Sequence, residues 1–196
     1  MSNSLSAQHI STNLANYEAA RSGFFSLIVD DIDNIVRASY TGSNPSEAAK
    51  SDKISQAQEI LKLNVVKAAV PHFTLNALEY RRGNDVVKFA GVPTFESGSI
   101  VVDDVVGMDT KSILMAWQGL AYNVHTRKGG RMKDYKKQAT LCEYTQDFEL
   151  IRSWTLYGCW VSKLSESEFD KESSGDKRQI TATIEYDRAE MVMPEA

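Results

Sequence analysis

Short apolar runs separated by turn-forming residues dominate the chain, and most of them have the length and period of strands. GFFSLIVDDI (23–32) is a dense apolar run, and VVKAAV follows at 65–70 before Pro71. FTLNALEYRR and DVVKFAGV flank Gly83-Asn84-Asp85, and two β-rich runs around such a turn predict a hairpin. TFESGSIVVDD, QATLCEYTQ, ELIRSWTLYGCWVSKL and KRQITATIEYDRA supply the remaining strands. In the last of these, Ile180, Ala182, Ile184 and Tyr186 alternate with Gln179, Thr181, Thr183, Glu185 and Asp187. Successive strand side chains point to opposite faces, so one face of this strand is buried and the other is polar.

A helical period is clear over MDTKSILMAWQGLAYNVHT, where Ile113, Ala116, Trp117, Leu120, Ala121 and Val124 form one stripe. Asp109 or Thr110 can cap its start by accepting hydrogen bonds from free backbone N–H groups. A weaker stripe of Ala49, Ile54, Ala57, Ile60 and Leu61 follows the TGSNPSE turn and predicts a short helix within an inserted loop, 31–64. Many strands, one strong helix and no βαβ rhythm predict a mainly β fold: an antiparallel barrel or sandwich with one flanking α-helix. The Ser-, Asn-, Ala- and Gln-rich residues 1–22 read as an N-terminal arm, 23–190 as a single domain and 191–196 as a C-terminal tail.

In RSWTLYGCW, strict alternation puts Trp154, Leu156, Gly158 and Trp160 on one face, with Tyr157 and Cys159 on the other. On that reading Gly158 leaves room between two aromatics for a neighbour such as Trp117, and the motif is a packing signature.

Composition narrows the function. A chain of 196 residues holds one sizeable core. Its net charge of −4 argues against a binder that neutralises phosphates, yet suits a surface that DNA passes without adhering. Cys142 and Cys159 lie in strand-like runs, where cysteine usually behaves as a small buried hydrophobe, and the three histidines show no ligand spacing. Asp30, Asp31, Asp33, Asp103 and Asp104 lack the spacing of a calcium loop and read as solvated or interface strand ends. RKGGRMKDYKK (127–137) carries Gly-Gly and several cations but no GKS/T, and reads as a solvated or partner-contacting loop. The N-terminus has no apolar signal core and no run approaches a membrane span, so stable membrane binding is not expected. No catalytic constellation, cofactor site or metal site is expected. The rival of a different class is a small ligand-binding β-barrel with Trp117, Trp154 and Trp160 around its cavity.

From about Gly23 onward the order of features resembles the tail tube proteins of contractile-tailed bacteriophages, relatives of pyocin and type VI secretion tube proteins. VVKAAVPHFTLNALEYRRGNDVVKFAGVPTFESGSIVV is similar to that family's central hairpin, with Gly91 and Thr94-Phe95 at its ending. MDTKSILMAWQGLAY is similar to its helix, including Trp117, and DYKKQATLCEYTQ to its Asp-Tyr, paired-lysine and alternating-strand segment. LYGCW resembles its Gly-x-Trp and ITATIEYD its closing strand. Val161 stands where the family commonly has proline, and 31–64 is longer than the family pattern.

The resemblance implies a non-enzymatic structural subunit. It would form homohexameric rings that stack into a hollow tube inside a contractile sheath, with baseplate and tail-terminator partners. DNA would pass transiently through the bore after contraction. It implies assembly in the bacterial host cytoplasm and residence in the virion tail. A tube protein of a bacterial contractile injection system, or a baseplate tube-initiator, is the alternative within the same fold. By loose correspondence, Tyr17, Arg21, Asp30, Asp31, Ile54 and Ile60 are inter-ring contact candidates. Asp103, Asp104, Thr181, Thr183 and Glu185 are bore-facing candidates, while Trp117, Trp154, Gly158 and Trp160 are structural packing residues.

Overall fold

The computed structural model describes residues 23–39, 47–105, 110–166 and 177–193. Its centre is a seven-stranded antiparallel sheet in the order β1 (Phe25–Val29), β8 (Lys137–Tyr144), β9 (Leu150–Glu166), β10 (Gln179–Glu185), β5 (Gly98–Asp103), β2 (Val65–Ala68). β11 (Arg188–Val192) lies off this path, on β9. The sheet folds over on itself without closing, giving a sandwich-like core; among the described residues β1, β2 and β11 each pair on one side only.

The fold-over is made by one long strand. The first part of β9 pairs with β8 on one side and β11 on the other, and its second part pairs with β10. At the changeover Lys137 pairs with Cys159 and Ala139 with Leu156, so Tyr157 and Gly158 together oppose Gln138. This is a β-bulge, and Gly158 occupies it with φ +67°. A left-handed residue here bends the strand and shifts its facing by one position. Beyond the bend Cys159 and Val161 are buried, where strict alternation would have buried Gly158 and Trp160.

The expected shared face of Trp154, Leu156, Gly158 and Trp160 is therefore wrong. Leu156 faces inward before the bulge, Cys159 faces inward after it, and Trp160 turns outward onto Tyr135 with ring centroids 5.7 Å apart. The space beside Gly158 belongs to Asp187 and Lys136, not to Trp117.

The expected alternation of the closing strand holds: Ile180, Ala182, Ile184 and Tyr186 are all buried. The strong helix is α3 (Thr110–Ala121), with Ile113, Leu114 and Trp117 buried. It ends at Ala121, so Val124, expected on its apolar stripe, sits exposed in the following turn. Asp109 lies outside the described residues, and Thr110 is the first helical residue, with its hydroxyl buried and unbonded.

The 31–64 segment is more than a loop with a short helix. It contains α1 (Ile32–Ser39) and α2 (Glu47–Leu63), which put Ile32, Ile35, Val36, Ala57 and Leu61 into the core. Ile32, Ile35 and Val36 recur at helical spacing, but Ile32 also ends the strand-like run GFFSLIVDDI, and strand was the expectation for it. The strand stops at Val29, and Asp31, at φ +54°, turns the chain into α1. α2 packs on β1 and touches β2, filling one end of the seam between these two edges.

Candidate assembly surfaces

The predicted hairpin forms, but it does not join the core. β3 (Phe73–Arg82) and β4 (Asp85–Phe95) pair only with each other and project from the sheet as an arm, turning at Gly83 with φ +67°. Opposed residues share a face, so Leu78, Phe89, Tyr80 and Val87 form one apolar surface. Glu79, Lys88 and Arg81 lie on the other face, where Lys88 Nζ and Glu79 Oε1 are 3.3 Å apart. Leu78 is 61% exposed, Tyr80 62% and Phe89 57%. Two unsupported strands are marginally stable in water, and an exposed apolar face beside unpaired edges marks a surface built to be covered.

Gly91 sits in a bulge of this arm, where Leu75 pairs with Pro93 but Ala77 with Ala90. A Cβ at Gly91 would press on the Asn76 carbonyl, which accounts for glycine there.

A second surface is the open end of the seam. A groove of about 490 Å³ lies between Gly23, Phe24 and Phe25 on one side and Val66, Ala68 and Val70 on the other, with Trp154 on its floor. Arg152 stands over the Trp154 ring at 5.8 Å and pairs with Glu143 at 2.7 Å.

The basic segment forms a small knob. β6 (Tyr122–Asn123) pairs with β7 (Lys128–Gly129), and α4 (Met132–Tyr135) follows. Asn123 Oδ1 accepts from the backbone N–H groups of His125 and Thr126, both at 3.0 Å, and Gly130 N–H donates to the Ala121 carbonyl. Arg127, Lys128, Arg131 and Lys133 stand exposed on this frame. The last two lysines of the segment do something else. Lys136 Nζ donates to both Asp187 oxygens at 2.6 Å, and Lys137, only 4% exposed, reaches inward to Asp31.

The expected site residues are placed as follows. Tyr17 and Arg21 lie outside the described residues, as does the side chain of Ile60, although its backbone is in α2. Ile54 packs against the core. Asp30 is exposed, while the Asp31 carboxylate accepts from Lys137 Nζ and from Asn34 Nδ2. Asp103 accepts from Gln179 at 2.9 Å and faces Lys177 at 3.5 Å, and Asp104 faces Arg178 at 3.6 Å. Thr181 and Thr183 lie half-buried on the non-core face of β10, and Glu185 accepts from Ser162 Oγ.

Trp117, 1% exposed, donates from Nε1 to the Tyr135 carbonyl at 2.9 Å and fixes α3 against the turn before β8. Trp154 is half-buried at the seam.

The three tryptophans that the ligand-barrel rival places around one cavity lie apart. The internal cavity that Trp117 helps to line is about 30 Å³, room for about one water. Trp154 and Trp160 do not line it. Cys159, at the cavity wall, donates to the Lys137 carbonyl at 3.1 Å, and burial pushes its thiol up to about 12, which leaves it protonated and inert. Among the described residues no cluster of three or more His, Cys, Asp or Glu could hold a metal. None of the described helices is long and apolar enough to cross a membrane.

The Lys137 hydrogen bond holds Asp31 below the usual carboxylate range, against a smaller opposing effect of burial. A depressed carboxyl stabilises the fold above its unfolded value of about 3.9 and loses that contribution as pH falls through the folded value. Below about pH 4, unfolding monitored by circular dichroism should show wild type losing stability more steeply than Asp31→Asn. Equal slopes would refute the pairing.

No family model matches the chain, and no curated protein sequence does. Solved structures do. A chain of the sheath-tube complex of the extracellular contractile injection system PVC, in its extended state, superposes with a TM-score of 0.62 at 14% identity, covering 93% of this chain and 97% of that one. The tube-terminating cap of the anti-feeding prophage gives 0.62 at 13%, covering 90% and 92%. The PVC sheath/tube terminator gives 0.60 at 17%, covering 89% and 97%. At these identities the likeness is one of fold, and it spans nearly the whole of each chain: this protein has the fold found in the tube assemblies of contractile injection systems.

Proposed function

We propose that the protein is a structural tube subunit of a contractile tail, assembling as homohexameric rings that stack into a hollow cylinder within a sheath. The observation that carries this reading is the β3–β4 arm. It presents Leu78, Tyr80, Val87 and Phe89 to solvent, a surface that makes sense when a second copy covers it. The free edges β1 and β2 and the apolar groove between them offer further places for copies to pair. The shared fold supports the same conclusion. Light scattering on concentrated protein should give particles of six times the 21.8 kDa subunit and larger stacks, while a 21.8 kDa mass at every concentration would refute it.

In this assembly the non-core face of β10 and β5, with Thr181, Thr183, Ser99, Glu185 and Asp103, lines the bore. Its hydroxyls and internally paired carboxylates give a wall with little hold on a passing polyanion. The cargo is then phage DNA, and the protein resides in a virion tail assembled in the host cytoplasm. The similarity to components of extracellular injection systems supports a second reading, in which the tube belongs to such a machine. Genes for a capsid beside the gene favour the first, and a sheath gene without capsid genes favours the second.

The exposed cations Arg127, Lys128, Arg131 and Lys133 meet the sheath or a neighbouring subunit, with baseplate and terminator proteins at the tube's ends. Changing these four residues to alanine should leave the subunit folded, each change shifting stability by no more than about 0.5 kcal/mol, because they are solvated surface positions. Co-sedimentation of the variant tube with sheath should fall; unchanged sheath binding and assembly would sink the assignment.

A further inference from the structure

The arm and the body are one long hairpin interrupted at a single level. β2 pairs with β5, β3 pairs with β4, and both strands leave the ladder together, at Ala69–His72 on one side and Glu96–Ser97 on the other. Pro71 lies in the longer side of this neck and has no N–H to give a ladder. The Ala69 N–H still reaches the Ser99 carbonyl at 2.8 Å, and His72 and Glu96 approach to 3.3 Å at an exposed position. Beyond its neck the arm packs against no other element to any substantial extent among the described residues. A stack of rings joins the two parts. Phe95 is 5.6 Å from Phe73 in the arm and 6.1 Å from Tyr186 in the core, centroid to centroid.

We infer that this neck is a hinge, and that Phe95 is the latch holding the arm in its free-subunit orientation until a second copy takes up the arm's apolar face. The inference rests on the tube-subunit reading for what releases the latch, not for the hinge itself. A ladder carries its stiffness through consecutive cross-strand hydrogen bonds, and that run breaks here, with the Ala69 N–H to Ser99 carbonyl bond at the body's edge of the neck. Beyond that bond, the His72–Glu96 pairing joins two exposed groups and the Phe95–Tyr186 rings meet edge to face, contacts that define an orientation without locking it. Apolar cover from a neighbour can then draw the arm away from Tyr186, because new burial along the arm offsets the separation of the Phe95 and Tyr186 rings at its root.

Spin-label distance measurements on the full chain test this directly. Thr74→Cys with Arg82→Cys reports within the arm, and Arg82→Cys with Asp147→Cys reports across the neck, all at exposed positions. The native thiols Cys142 and Cys159 are buried and do not compete for label. Across the neck the distance distribution should be at least twice as wide as within the arm in the free subunit. Phe95→Leu, which keeps an apolar side chain at the root, should widen it further. Assembly with excess unlabelled protein should collapse it to one narrow peak at a shifted mean. Widths equal within the arm and across the neck, in both wild type and Phe95→Leu, would overturn the hinge. An unchanged width in Phe95→Leu alone would overturn the latch. Failure of wild type to assemble would count against the tube reading, while the two free-subunit comparisons would still decide the hinge.

Discussion

Replacing Gly158 with valine is expected to cost on the order of 3 kcal/mol or more, through two separate insults. The first is conformational. Gly158 holds φ +67°, a region that L side chains enter at a cost and that β-branched ones all but avoid. The second is steric. A Cβ at this position lands inside van der Waals contact of Asp187 Oδ2, 3.0 Å from Asp187 Cγ and 3.4 Å from Lys136 Cδ. Asp187 can turn its carboxylate aside only by giving up the pairing with Lys136, while its backbone stays tied by the N–H donated to the Tyr157 carbonyl.

For a chain of this size such a loss lowers the melting temperature by roughly 6–12 °C. Alanine separates the two effects. Gly158→Ala in an Asp187→Ala background removes the clash and keeps the backbone strain. The double variant should therefore be less destabilised by the glycine change than the single one. Equal effects of Gly158→Ala with and without Asp187, or a valine variant that melts like wild type, would show that the corner is not built as described.

The second large effect is on assembly. Changing Leu78, Tyr80 and Phe89 together to serine should abolish tube formation while leaving the subunit folded. All three are more than half exposed in the subunit, so the fold has little to lose from their removal. Each stabilises a covered arm by roughly 1.5–3 kcal/mol if its burial there is complete. A combined loss of about 5 kcal/mol raises the protein concentration needed for assembly by more than a thousandfold. Thermal melting reads the fold and sedimentation reads the assembly. A triple variant that assembles at wild-type concentration would remove the arm from the interface, and one that fails to fold would show that the arm supports the subunit itself.

Much of the fold was legible because strand patterning is local. The Gly83 turn, the alternation from Ile180 to Tyr186 and the Trp117 stripe each depend on neighbours within a few residues. The Gly158 corner was not legible, because alternation carries no sign of a left-handed residue, and the partner that demands glycine, Asp187, is 29 positions away. The core role of α1 was hidden by Ile32, which continues an apolar strand run yet begins a helix.

The arm's exposure was hidden for a different reason. Leu78 and Tyr80 alternate with Glu79 and Arg81 as they would on any half-buried strand, and the pattern does not say whether the covering surface lies in the same chain. Lys137 ended a run of cations in the sequence, and only its register opposite Cys159 turns it inward to Asp31.

The central claim is that copies of this chain build a tube, and negative-stain microscopy of the purified protein at rising concentration tests it most directly. The account predicts rings and hollow cylinders of uniform width for wild type, and dispersed single subunits for the Leu78, Tyr80, Phe89 triple variant. Single, non-associating wild-type particles at every concentration would contradict it.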